Sequence, residues 1–153
     1  MKYITAILAI IFSVTLHASQ EVLMNEYQQG IMERRSSEAR ELWSEMESSG
    51  FTETTVVALD FMFFSSSQDE AQNLIEQLSE NYTLELAPVD DPEYFLVKGT
   101  TRPYGNEFTY EQWQAWVEFM VSVGFSHNAV FSTWSVYSPK TKTTWSSESI
   151  EVQ

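Results

Sequence analysis

The sequence predicts an α+β domain in which one antiparallel sheet of four strands carries two helices. Three observations predict it. The apolar residues change period along the chain, from helical spacing to runs of β-branched and aromatic residues and back. Capping and turn residues separate these runs at short intervals. Third, the chain has 153 residues of which 43% are apolar, enough for a single domain with a real core.

Residues 1–18 read as a signal peptide. Lys2 supplies the basic start, Tyr3 to Leu16 form an uncharged apolar run, and His17-Ala18-Ser19 opens a polar stretch, which places cleavage after Ala18. The run is shorter than the roughly 20 residues that span a bilayer, and no Cys follows it to take a lipid. The expected location is therefore secreted or periplasmic. Residues 19–35 are polar and mixed, interrupted by Gly30, and read as a weak helix or a lead-in.

The folded domain is expected over residues 36–138. Ala39, Leu42, Trp43 and Met46 fall at i, i+3, i+4 and i+7, one apolar face of a helix, and Gly50 is its natural stop. Thr54 to Phe64 reads as a central strand buried on both faces, with Val57, Leu59, Phe61 and Phe63 on one side and Val56, Ala58, Asp60, Met62 and Phe64 on the other. Ser67 and Glu70 match a capping box for a helix with Ala71, Leu74, Ile75 and Leu78 inward, ending at Asn81. Tyr82–Ala87 and Tyr94–Thr100 form a hairpin about the turn from Pro88 to Pro92. Thr109 and Gln112 cap a further helix that carries Trp113, Trp116, Val117 and Met120 and stops near Gly124, and Val130–Tyr137 is the last strand. Residues 139–153, rich in Ser and Thr, are expected to be a flexible tail, with Trp145 as the one residue suited to pin it.

The order helix, then β-α-β-β-α-β, is that of a ferredoxin-like sandwich with an extra N-terminal helix. The first strand then lies between the third and the last. The sheet face away from the two helices must be covered by the extra helix or by a partner.

Composition excludes several functions. The formal charge is −14, opposite to what a nucleic-acid backbone requires. With no Cys there is no disulfide, no thiolate catalysis and no Cys-based metal site. One His after cleavage gives no zinc set; Asp90, Asp91 and Glu93 lack the spacing of a calcium loop; and no glycine-rich phosphate loop is present. No cofactor or metal is implied. His127 is the sole candidate general base, and without a G-x-S-x-G elbow a hydrolase built on it is the weakest reading. Asp60 stands in an apolar strand and needs a partner; Lys98 in the third strand is placed to provide one, as a structural pair or as part of a binding site. Phe131 and Trp134 are read as core residues or as anchors that face a partner.

The stretch from Ala39 to Tyr137 resembles the RraB family, protein inhibitors of ribonuclease E. The features are the helix ending Trp43-Ser-Glu-Met-Glu-Ser-Ser-Gly50, the aromatic strand Val56–Phe64, the helix opening Ser67-Gln-Asp-Glu-Ala71, the hairpin leading to a helix that ends at Gly124, and a last strand with a Trp. The family's closing Tyr-Asp-Gly-Trp-Gly-like run is matched by Phe131-Ser-Thr-Trp134-Ser, which keeps only the Trp. The resemblance implies a small acidic domain that binds a protein and inhibits it without catalysis. Trp134, Phe131 and Asp60 are the partner-binding residues expected, and the charge suits steering toward a basic partner. A small-ligand binder using the aromatic sheet face is the alternative.

Overall fold

A computed structural model describes residues 24–87, 89–90 and 93–151; the expected signal peptide lies outside them. The fold is α+β. Three helices, α1 (Glu26–Ser48), α2 (Gln68–Leu78) and α3 (Tyr110–Ser126), accompany five strands, β1 (Ala58–Ser65), β2 (Thr83–Ala87), β3 (Phe95–Thr100), β4 (Ala129–Ser138) and β5 (Thr143–Ser146). The sheet is open, in the order β2-β3-β1-β4-β5, with every neighbouring pair antiparallel. None of the described helices is long and apolar enough to cross a membrane.

Helix α1 starts at Glu26, ten residues before the expected start of the domain at residue 36. Asn25 caps it, accepting from the Gln28 amide at 2.9 Å while the Gln28 side chain returns to the Asn25 N–H at 3.1 Å. That box, and the packing of Ile31 and Met32 on the core, offset the roughly 1 kcal/mol that Gly30 costs inside a helix. The described part of the polar lead-in is thus helical from Glu26 onward. At the other end Gly50 adopts φ +90°, and the N–H groups of Gly50 and Phe51 bond the carbonyls of Glu47 and Met46, each at 3.0 Å. This is a Schellman stop, closed by the buried pair Met46 and Phe51.

Helix α2 is capped by the Ser67 hydroxyl, which accepts from the Glu70 amide at 3.3 Å. The reciprocal half of the expected box is absent: the Ser67 N–H bonds the Ser65 hydroxyl, and the Glu70 carboxylate faces His127. Helix α3 has its full box between Thr109 and Gln112. It runs two residues past Gly124, because the left-handed residue that ends it is Asn128, at φ +48°.

The sheet register sorts the side chains by face. Leu59, Phe61 and Phe63 of β1 pair with Gly99 and Val97 on one side and with Val136, Trp134 and Phe131 on the other, and this row faces the helices. Trp113 stacks on Trp116 at 5.7 Å, and Phe131 on Trp134 at 5.1 Å, so the core is largely aromatic. Helix α1 joins this layer: the Trp113 indole N–H donates to the Ala39 carbonyl at 2.9 Å, and Phe51 packs edge-on against Trp145.

Two expectations need correction here. The sheet has five strands, because the residues read as a tail form β5 and a 3₁₀ turn, Ser147–Ser149. Trp145 pairs with Val136 and is 5% exposed, so one buried indole holds the strand in place. The second correction concerns β1, whose other face is not buried: Asp60 and Met62 are half-exposed and Phe64 is 40% exposed. All three α-helices pack on one side, and among the described residues no α-helix covers the opposite face of the sheet.

Candidate functional site

That uncovered face is concave. Between β2 and β5 it forms a depression of ≈ 520 Å³ whose lining includes Met62, Lys98 and the hydroxyls of Thr83, Thr100, Thr133, Ser135 and Ser146. Three carboxylates, Asp60, Glu85 and Glu148, also line it. Strand alternation explains the composition, since each of these sheet residues is one position away from a core residue.

Asp60 is the only carboxylate of β1 and sits opposite Thr100 and Ser135. The Thr100 hydroxyl donates to Oδ1 at 2.6 Å, and Arg102 reaches both oxygens, from Nε at 3.3 Å and from Nη2 at 3.0 Å. Burial pushes the Asp60 carboxyl up, but the hydrogen bonds from Arg102 and Thr100 and the Arg102 charge outweigh it. The pKa therefore lies below the ordinary aspartate value. The guanidinium also lies 4.6 Å over the Tyr137 ring, a cation–π contact. So the partner of Asp60 is Arg102, not Lys98. In the register Lys98 stands opposite Met62 and Glu85, and it forms no ion pair among the described residues. The signal for Arg102 was its place two residues beyond Thr100, as the single arginine after Arg40.

Phe131 does not line the depression, and Trp134 borders it from within the core. The two are 0% and 2% exposed and stacked together in that core. The reason is a bulge. Met62 pairs with Thr133 and Phe63 with Phe131, which leaves Ser132 as an extra residue. Residues three apart, which a regular strand would send to opposite faces, thereby share one. The Phe131 carbonyl beside the bulge accepts from Arg35 Nε at 3.0 Å, and Arg35 Nη1 reaches Glu38 at 2.6 Å. The exposed Arg34 pairs with the same carboxylate at 3.0 Å, and the nearly buried Arg35–Glu38 pair ties α1 to β4.

His127 caps α3 outside the concavity. Its Nε2 bonds Gln77 Oε1, and its Nδ1 lies 3.7 Å from Glu70. No hydroxyl is hydrogen-bonded to it among the described residues, so no nucleophile is aligned on it. No group of three or more His, Cys, Asp or Glu side chains placed to hold a metal ion occurs among those residues either.

No protein-family model matches this chain, and no curated protein matches it.

Proposed function

We propose that this chain is an exported, acidic, non-catalytic module that regulates a partner protein by gripping a basic segment on its uncovered sheet face. The observation that carries this reading is the concave face itself. The described α-helices α1, α2 and α3 pack on the other side, and the depression is lined by Asp60, Glu85 and Glu148 against Lys98. A chain of charge −14 steers toward a basic partner and away from a second copy of itself. The placing of β1 between β3 and β4 supports a ferredoxin-like core, extended by α1 and β5. That core, with the acidity, supports the likeness to the RraB inhibitors, with a target outside the cytoplasm. Export rests on residues 1–18. With Phe131 in the core and Trp134 bordering the depression from within it, the exposed gripping groups are Asp60, Glu85, Glu148 and Met62.

A second reading has its own observation: the volume falls within the ~300–1,000 Å³ typical of small-ligand sites, and the lining is rich in hydroxyls. Capture from an exported-protein extract at low and high salt separates the two. A charge-steered protein partner is retained at low salt and released at high salt. The double variant Glu85→Lys, Glu148→Lys weakens its retention about tenfold, from two attractions turned to repulsions, whereas Glu26→Lys on α1 leaves it unchanged. Retention that ignores both salt and the double reversal, or no retention at any salt, ends the protein-binding reading.

A further inference from the structure

A second cleft, of ≈ 250 Å³, lies between the loop 101–109 and the junction of α2 with β2. In a chain with 22 acidic residues, none of the residues that line it is charged. The sheet-face depression holds Asp60, Glu85 and Glu148, and a third depression holds Glu41, Glu45 and Glu151. This cleft is instead walled by aromatic rings and neutral polar groups.

Those polar groups are held but not spent. The Trp116 indole N–H donates to the Tyr82 oxygen at 3.0 Å, which leaves the phenol's own proton without an acceptor among the described residues. Burial holds the Tyr82 phenol above its ordinary range, partly countered by that hydrogen bond, so the donor stays protonated at neutral pH. The side-chain amides of Asn81 and Asn106 make no hydrogen bond within the described chain, and each offers both donors and an acceptor. Tyr104 lines the cleft and is 77% exposed, so its ring stands open to solvent at the mouth.

The loop that forms one wall of the cleft is tied to the segment that carries β1. Val57 and Asn106 exchange backbone hydrogen bonds at 2.9 and 2.8 Å, and the Thr101 N–H bonds the Leu59 carbonyl at 3.0 Å. Between Tyr104 and Asn106 the loop passes so close to Val56 that a side chain at Gly105 would meet it. Sites held on a fixed backbone lose little entropy on binding.

We propose that this cleft binds one neutral, hydroxyl-bearing ring of the pyranose class, its apolar face on Tyr104 and its hydroxyls on Tyr82, Asn81 and Asn106. An uncharged aromatic wall with amides at its rim matches a ring that has C–H groups on its faces and O–H groups at its edge. The volume, just under the ~300 Å³ where drug-sized sites begin, suits a single ring.

The test is an NMR titration of the purified protein with glucose and with N-acetylglucosamine, each at millimolar concentrations, read at the Trp116 indole N–H. Sodium glutamate and arginine serve as charged controls. The expected result is a saturable shift of that resonance and of the Asn81 and Asn106 amides with at least one sugar, and none with the controls. Tyr104→Ala, an exposed position whose loss leaves the rest of the spectrum in place, weakens the binding about tenfold; Asn81→Ala weakens it too. No shift with either sugar, an equal shift with the charged controls, or a titration untouched by Tyr104→Ala overturns the proposal.

Discussion

Glu38 is the buried charge through which α1 is tied to β4, and its removal has a calculable consequence. The carboxylate is 3% exposed and bonds Arg35 at 2.6 Å and Arg34 at 3.0 Å, while Arg35 also donates to the Phe131 carbonyl. The two arginines are not equivalent. Arg34 has a side chain 66% exposed, so its pair contributes only about 0.2–1 kcal/mol. Arg35 is 13% exposed, and truncating Glu38 strands its guanidinium between helix and sheet. Losing one member of a buried pair costs about 3–5 kcal/mol; the residual exposure of Arg35 puts the Glu38→Ala variant near about 3 kcal/mol. Glu38→Gln keeps an acceptor but loses the charge, for about 1–2 kcal/mol. Replacing both partners, Arg35→Met with Glu38→Leu, removes the stranded charge and returns stability to within about 1 kcal/mol of the parent. Urea unfolding reads these values. With a slope near 2 kcal/mol/M, Glu38→Ala lowers the midpoint by about 1.5 M at unchanged slope. If Glu38→Ala matches Arg34→Ala, or if the double replacement is as unstable as the single one, the cluster is not what fastens the helix.

Two further outcomes follow from the same structure. Trp145→Ala removes the one buried residue of β5 and its edge-on contact with Phe51, and costs about 3 kcal/mol, the low end for core aromatics because β5 is an edge strand; a thermal midpoint within a degree or so of the parent's would mean the strand is not held by it. Asp60 has a folded pKa below its unfolded value, so its stabilisation is fully present above the unfolded value near 4 and is lost as pH falls through the folded one. Half-exposed as the pair is, the loss is about 0.2–1 kcal/mol. It is read as the difference in acid unfolding between the parent and Asp60→Asn, which should vanish at the acid end; an equal difference at every pH below neutrality would contradict the assignment.

The parts legible in the sequence were those where one residue type has one structural meaning. Gly50 supplied a positive φ, Thr109 and Gln112 supplied a box, and the alternation in β1 divided its faces correctly. The parts that were not legible depend on neighbours distant in sequence. Phe131 and Trp134 share a face only because Ser132 is extruded opposite β1, and nothing in Phe131-Ser-Thr-Trp134 announces a bulge. Strand β5 has a single buried residue in four, so no period exists to be read, and Lys142 turns at φ +56° without a glycine to mark it. The first turns of α1 were hidden by Gly30 and by charged residues whose partners, Glu38 and the Phe131 carbonyl, are known only once the helix docks. Asp60 stands out in the strand pattern as a charge that needs a partner, but its cation, Arg102, comes from a loop whose path that pattern does not fix.

That loop joins the two candidate sites. Leaving β3 at Thr100, it sends Arg102 to Asp60 and Tyr137 on the sheet face, then turns so that Thr101, Tyr104 and Asn106 line the uncharged cleft. Its backbone is tied to β1 and to Val57, just ahead of that strand, by the Thr101–Leu59 and Asn106–Val57 hydrogen bonds. One pinned segment therefore supplies the arginine that pairs with Asp60 and the exposed ring of the neutral cleft, two residues apart. This has a consequence for binding at the face. A basic partner segment that reaches Asp60 meets a carboxylate already held by Arg102, so its gain there is a difference between two charge-assisted pairs rather than a new one. Glu85 and Glu148, with no ion partner among the described residues, are where such a segment gains most, and Arg102 acts against partners that would bind through Asp60 alone.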